Sequence, residues 1–246
     1  MGSDGHIWIM IHSGSRNLGK QVADYYNDVA VKLNESFHSK VPKKAQLAFL
    51  PINTEEAMHY MLEMQYCVEF ALANRKLMMN KVCSAFSQMV AGFNQANPFD
   101  DDTPLDVEDL SINIAHNYAS IEHHYGKNCI VHRKGAILAR NGTIGIIPGS
   151  QGTKSYIVEG KGNEESFMSC SHGAGRIMGR KAAIRNLDLA GEIKKLDDLG
   201  VVHDIRVEDD LDEAPGAYKD IATVMKRQED LVDIRVELTP LAVIKG

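Results

Sequence analysis

Three histidines stand in similar company: His12 in "IHSGSR", His116 in "NIAHNYA" and His172 in "SCSHGAGR". Each is flanked by small or amide-bearing residues, and two are followed four positions later by an arginine, Arg16 and Arg176. A histidine packed in a core needs neither feature, so the pattern points to imidazole working beside an anion. A neutral imidazole can bind a borderline divalent metal or attack an activated phosphorus. His12 and His116 suit the first role, and His172 suits either. In "SHGAGR" the small residues Gly173, Ala174 and Gly175 leave room for backbone N–H groups to reach an anion, and a helix opening near Gly173 adds its positive end. Arg176 and Arg180 then supply charge-assisted contacts to phosphate oxygens. The loop "IPGSQGTKS" (147–155) is a second phosphate candidate, with the hydroxyls of Ser150, Thr153 and Ser155. Neither GxxxxGK[ST] nor GxGxxG occurs, which excludes two familiar nucleotide sites. With only two or three histidines and no acid in these motifs, they do not assemble a complete metal site.

The elements that must position these groups follow from hydrophobic spacing. The apolar run 6–11 reads as a strand entering the glycine-serine turn, and Leu18, Val22, Tyr25, Val29 and Leu33 predict a helix near 18–38. Asn53 with Glu56 resembles a capping box opening a helix that runs to about 93, where methionines fill a helix core. "NPFDDDTPLD" ends it as a loop. The runs "NCIVH", "AILA", "IGIIP" and "SYIVE" between 128 and 160 predict a compact sheet with glycine-rich connections. A helix from Gly173 through "GRIMGRKAAIRNL", a second near 215–230 and a last strand in "DIRVELTPLAVIKG" complete the pattern. The expected fold class is α+β in one domain, 1–246.

The 246 residues carry a net charge of −6, distributed unevenly. Between Lys127 and Arg185 there are ten Lys or Arg against three acids, a surplus of seven positive charges that leaves −13 for the remainder. A basic segment in an acidic chain is expected where a polyanion binds locally. The acidic stretch 197–213 reads as a solvated face without function. Four cysteines without CxxC spacing read as buried free thiols. No apolar run spans a membrane and the start is unlike a signal peptide, so the expected compartment is the cytoplasm.

The motifs "HSGSRNLG", "AHNYASIEHHYG", "HRKGAILARNGTIGIIPGSQGTKSYIV", "GNEESFMSCSHGAGRIMGRKA", "APGAYKDI" and "VIKG", in this order, resemble the RtcB family of RNA ligases. The likeness runs from about residue 7 to the C-terminus, loosely over 40–108. It implies a GTP- and Mn²⁺-dependent ligase joining RNA 3′-phosphate or 2′,3′-cyclic phosphate ends to 5′-hydroxyl ends, in tRNA splicing or RNA repair, on the family's own α+β fold. It also implies that His172 carries GMP and that His12 and His116 ligate metal. Asn117, Ser150, Ala174, Gly175, Tyr218 and Lys245 would hold the nucleotide, and Arg16 and Arg180 the RNA phosphate. Archease is an implied partner.

The family's upstream "D-x-G-C" and "GNHF" motifs, which complete a two-manganese site, are absent. The chain therefore reads as the C-terminal portion of a longer catalytic domain. The alternatives are an inactive nucleotide- or RNA-binding fragment, or one half of a split ligase whose N-terminal half is a separate chain.

Overall fold

The methionine-rich stretch folds as one long helix in a computed structural model that describes residues 1–96 and 111–245, apart from the side chains of Lys43 and residues 93–96. The loop expected at 97–106 lies outside the described residues. The helices are α1 (Leu18–Ser36) and α2 (Glu55–Ala96). Ala30, Ala57, Cys67 and Tyr26 are buried where the two pack, and the Tyr26 hydroxyl donates to Glu63 Oε1 at 2.9 Å. Thr54, rather than Asn53, caps α2, its hydroxyl accepting the Ala57 N–H at 3.2 Å. Asn53 lies one residue too early, in the preceding turn.

The chain divides into two compact units, Met10–Tyr118 and Met1–Ile9 with Ala119–Gly246. The strand expected over 6–11 does not form. Asp4 takes the His6 N–H at 3.1 Å and the Trp8 indole N–H at 3.0 Å, and such side-chain bonds compete with a ladder.

The second unit supplies the sheets. Strands β1 (Asn117–His124) and β2 (Lys127–Lys134) pair, β1 being missed by the sequence reading. β3 (Ala136–Leu138) lies antiparallel to β6 (Ser169–Ser171), while β4 (Ile144–Ile147), β5 (Ser155–Gly160) and β8 (Val232–Leu238) form an antiparallel sheet. The four runs expected between 128 and 160 are strands β2 to β5. The last strand is broken: Thr239-Pro240 separates β8 from β9 (Ala242–Val243), which pairs in parallel with β7 (Val202–His203).

Two helices are shorter than their patterns suggest. The one expected from Gly173 begins only at Arg180, as α3 (Arg180–Asn186). Of the span 215–230 only α5 (Ile221–Lys226) is α-helical, because Asp220 caps Ala222 and Thr223 from outside it. Between them, α4 (Leu189–Asp198) packs Leu196 into a cluster with Val201, Ile205, Leu211 and Ala214.

Candidate functional site

Within the first unit, α2 gathers two of the three histidines. Its Arg75 donates to Ser13 O at 2.9 Å, to Ile114 O at 3.0 Å and to Asn113 Oδ1 at 2.8 Å. Asn74 adds a bond to Ser13 Oγ at 3.1 Å. One helix turn thus holds the segment after His12 and the segment before His116. The result is an Nε2···Nε2 distance of 3.2 Å between His12 and His116. Metal–imidazole bonds of about 2.0–2.1 Å place two ligands on neighbouring corners of a coordination sphere about 3.0–3.4 Å apart, so the pair fits one borderline divalent ion. Among the described residues no group of three His, Cys, Asp or Glu is placed to hold a metal ion. Arg16 is exposed and, with Asn17, takes a left-handed backbone immediately before α1. Asn117 is exposed at the first position of β1.

His172 follows β6 directly. Its N–H reaches Gly135 O at 3.4 Å, and its imidazole lies 3.5 Å from where a Cβ at Gly135 would stand. Gly135 has φ +70, so its backbone favours glycine, while a Cβ there would stand in ordinary contact with the ring. Below the loop, buried Arg133 donates to both oxygens of buried Glu122, to Ser169 Oγ at 3.0 Å and to Phe167 O at 3.0 Å. These bonds hold the Glu122 carboxyl down at about 2, with help from Ser120 and His124. Buried Gln228 accepts the Ser171 N–H at 3.0 Å.

The anion cradle expected of "SHGAGR" is not built as its sequence suggests. The Gly173 N–H bonds Ser171 Oγ at 3.3 Å and the Ala174 N–H bonds Pro148 O at 3.1 Å, so both are already engaged. No helix starts here, which removes the dipole contribution. Instead the loop continues as an extended pair with 217–219: Gly175 O accepts from Lys219 N–H at 2.9 Å, and Ile177 N–H donates to Ala217 O at 2.9 Å. Arg176 bridges Tyr218.

Tyr218 and Lys245, two of the expected nucleotide residues, meet on the acidic stretch expected to be a solvated face. Glu213, at the end of the 3-10 turn Glu208–Glu213, accepts from Arg176 Nη1 at 3.0 Å, from Arg180 at 2.9 Å and from the Tyr218 hydroxyl. Asp212 accepts from Lys245 through its carboxylate and from Arg176 through its carbonyl. Gln151, next to Ser150, donates to Glu213 O at 3.0 Å. Ser150 itself is fixed by Thr153, whose Oγ accepts its N–H at 2.7 Å. Part of the acidic stretch is therefore an ion-pair cluster rather than a solvated face, because Leu211 and Ala214, both buried, draw Asp212 and Glu213 down against the core. Arg176, expected on a phosphate, is engaged by this cluster and stacks its guanidinium 5.0 Å from the Tyr218 ring centre. Sequence spacing could not reveal Glu213, Asp212, Arg75 or Gln228; the only signal was an excess of acids beside a basic segment.

The family described as tRNA-splicing ligase RtcB matches residues 1–246. The chain is 40% identical over 240 residues to the "RNA-splicing ligase RtcB" of Escherichia coli K12, covering 98% of this chain and 56% of that protein. It is 34% identical to "RNA-splicing ligase RtcB homolog 1" of Entamoeba dispar over 98% of this chain and 47% of that protein. Against "tRNA-splicing ligase RtcB" of Pyrococcus abyssi the identity is 32%, over 99% of this chain and 28% of the relative. The chain spans about half the length of the Escherichia coli relative and less of the others. Matched over its whole length by that family, the chain belongs to the RtcB family.

Proposed function

We propose that this chain carries the guanylate-transfer portion of an RNA ligase, with His172 as the nucleophile. An imidazole nitrogen of His172 attacks the α-phosphorus of GTP; an N–P bond forms, the bond from phosphorus to the bridging oxygen breaks, and pyrophosphate leaves with that electron pair. GMP passes to an oxygen of an RNA 3′-phosphate, which restores the imidazole. The 5′-hydroxyl of a second RNA end then attacks that phosphate and displaces GMP. Tyr218 stacks on guanine, Ser150 and Lys245 bond its edge, and Ala174, Gly175 and Asn117 line the nucleotide. Arg16 and Arg180 take RNA phosphate. His12 and His116 are the residues that would hold Mn²⁺, which when bound neutralises charge developing on the phosphate oxygens. The substrates are tRNA halves or broken RNA, and archease and a separate N-terminal half are candidate partners.

The observation that supports this reading best is the convergence, within one compact unit, of the His172 loop with the segments bearing Ser150, Tyr218 and Lys245. The test is incubation with labelled GTP and Mn²⁺. An acid-labile adduct mapping to His172 and lost in His172→Ala is the expected result; an adduct that persists in that variant rejects the assignment. A second reading, a binding module without chemistry, is favoured by the two-ligand histidine pair, and GTP binding without any adduct would establish it.

A further inference from the structure

We infer that Asp212 and Glu213 are positioning residues that organise the nucleotide site, Glu213 by fixing the ring of Tyr218 and Asp212 by tethering Lys245. The inference rests on the reading of Ser150, Tyr218 and Lys245 as nucleotide contacts. Four segments distant in sequence, around 150, 176–180, 218 and 245, are tied to these two consecutive residues. An isolated surface ion pair contributes little, and Arg180, 71% exposed, is such a pair on its own. Arg176 and Glu213 differ: each is only 25% exposed, and the same carboxylate oxygen receives both the Arg176 guanidinium and the Tyr218 hydroxyl.

The geometry of Tyr218 is over-determined. Its hydroxyl is held by Glu213, its ring carries the Arg176 guanidinium near one face, and its backbone pairs with the strand that leaves the His172 loop. Buried Glu192 accepts the Gly216 N–H at 2.9 Å and fixes the turn before it. A ring locked on one face and at its tip presents its other face for stacking without further ordering cost. The carboxylates have a second consequence. They occupy Arg176, a cation an unpartnered basic loop would offer to any polyanion, so the site is tuned toward the base and away from phosphate alone.

The test is equilibrium binding of GTP, ATP and inorganic tripolyphosphate to the full chain and to Glu213→Gln, with Tyr218→Phe and Asp212→Asn as companions. Glu213→Gln keeps the volume and an acceptor for the phenol but removes the charge. Loss of one charge-assisted contact raises the GTP dissociation constant about tenfold. ATP weakens less, so base discrimination shrinks, while tripolyphosphate binds at least as tightly as before because Arg176 has lost a competing carboxylate. Unchanged GTP affinity in Glu213→Gln overturns the inference, as does a parallel weakening of all three ligands, which indicates general loss of structure. If Glu213→Gln does not unfold cooperatively, Tyr218→Phe and Asp212→Asn decide the matter by the same GTP-to-ATP ratio. Absence of GTP binding to the unaltered chain removes the nucleotide reading itself, and this inference with it.

Discussion

His12 and His116 come together through one arginine bonded to two carbonyl oxygens and an amide, whereas His172 sits in a loop whose neighbours converge on two carboxylates. The first arrangement pairs one cation with neutral acceptors, so its charge is not offset within those contacts. The second pairs each charge with its opposite, so it is held before any ligand arrives. The difference teaches that the two sites depend on ligand in different degrees. The histidine pair supplies two donors to a sphere it cannot close from the described residues. The carboxylate cluster already satisfies its own charges.

The comparison can be broken most sharply beneath the His172 loop. Glu122→Ala leaves the Arg133 guanidinium buried without its carboxylate, at a cost of about 3–5 kcal/mol, and chemical denaturation should record it. A change under 1 kcal/mol would mean that the loop's support is not pre-assembled. Next in size is Arg75→Ala, which removes what holds both histidine segments. Mn²⁺ titration of the chain should show affinity about 10–100-fold lower, with Arg75→Lys restoring part of it. Unaltered Mn²⁺ affinity would show that the histidines find their spacing without α2.

An acid titration separates the two regions next. The Glu122 carboxyl, held down at about 2 by Arg133, contributes stability that is fully present above its ordinary value of 4.5 and is lost as pH falls from there toward 2. Unfolding followed between pH 5 and 2 should weaken the wild-type chain and leave a Glu122→Gln variant, already destabilised, flatter over the same range. The smallest effect concerns thiols. All four cysteines are free as expected, but Cys83 and Cys129 are half-buried, while burial pushes the Cys170 thiol up to about 12. Alkylation at pH 8 should reach Cys129 well before Cys170, which lies opposite Ile137 in the β3–β6 pair.

What could be read from the chain followed from local patterns. The 3.6-residue spacing located α1 and α2, and short apolar runs between glycines located β2 to β5, because both depend on neighbours within a few residues. The errors share one cause. At 6–11 an apolar run pairs with no strand among the described residues, and from Gly173 a helical pattern yields to pairing with 217–219. Strand partners are distant in sequence, so periodicity carries no information about them. β1 was missed for the same reason: its buried Glu122 and His124 do not read as apolar until Arg133 is placed opposite.

No described helix is long and apolar enough to cross a membrane. For the site, the sequence determined which residues could do chemistry: three histidines among small neighbours, arginines four positions on, and an ordered set of motifs with a family behind it. Only the tertiary structure decided what holds them. Arg75 lies 62 residues from Ser13, and Arg176 37 from Glu213. Charges that far apart along a chain act on each other only once folding removes the intervening water and brings them within hydrogen-bond reach. The acidic stretch looked like solvated surface because its partners were elsewhere in the chain.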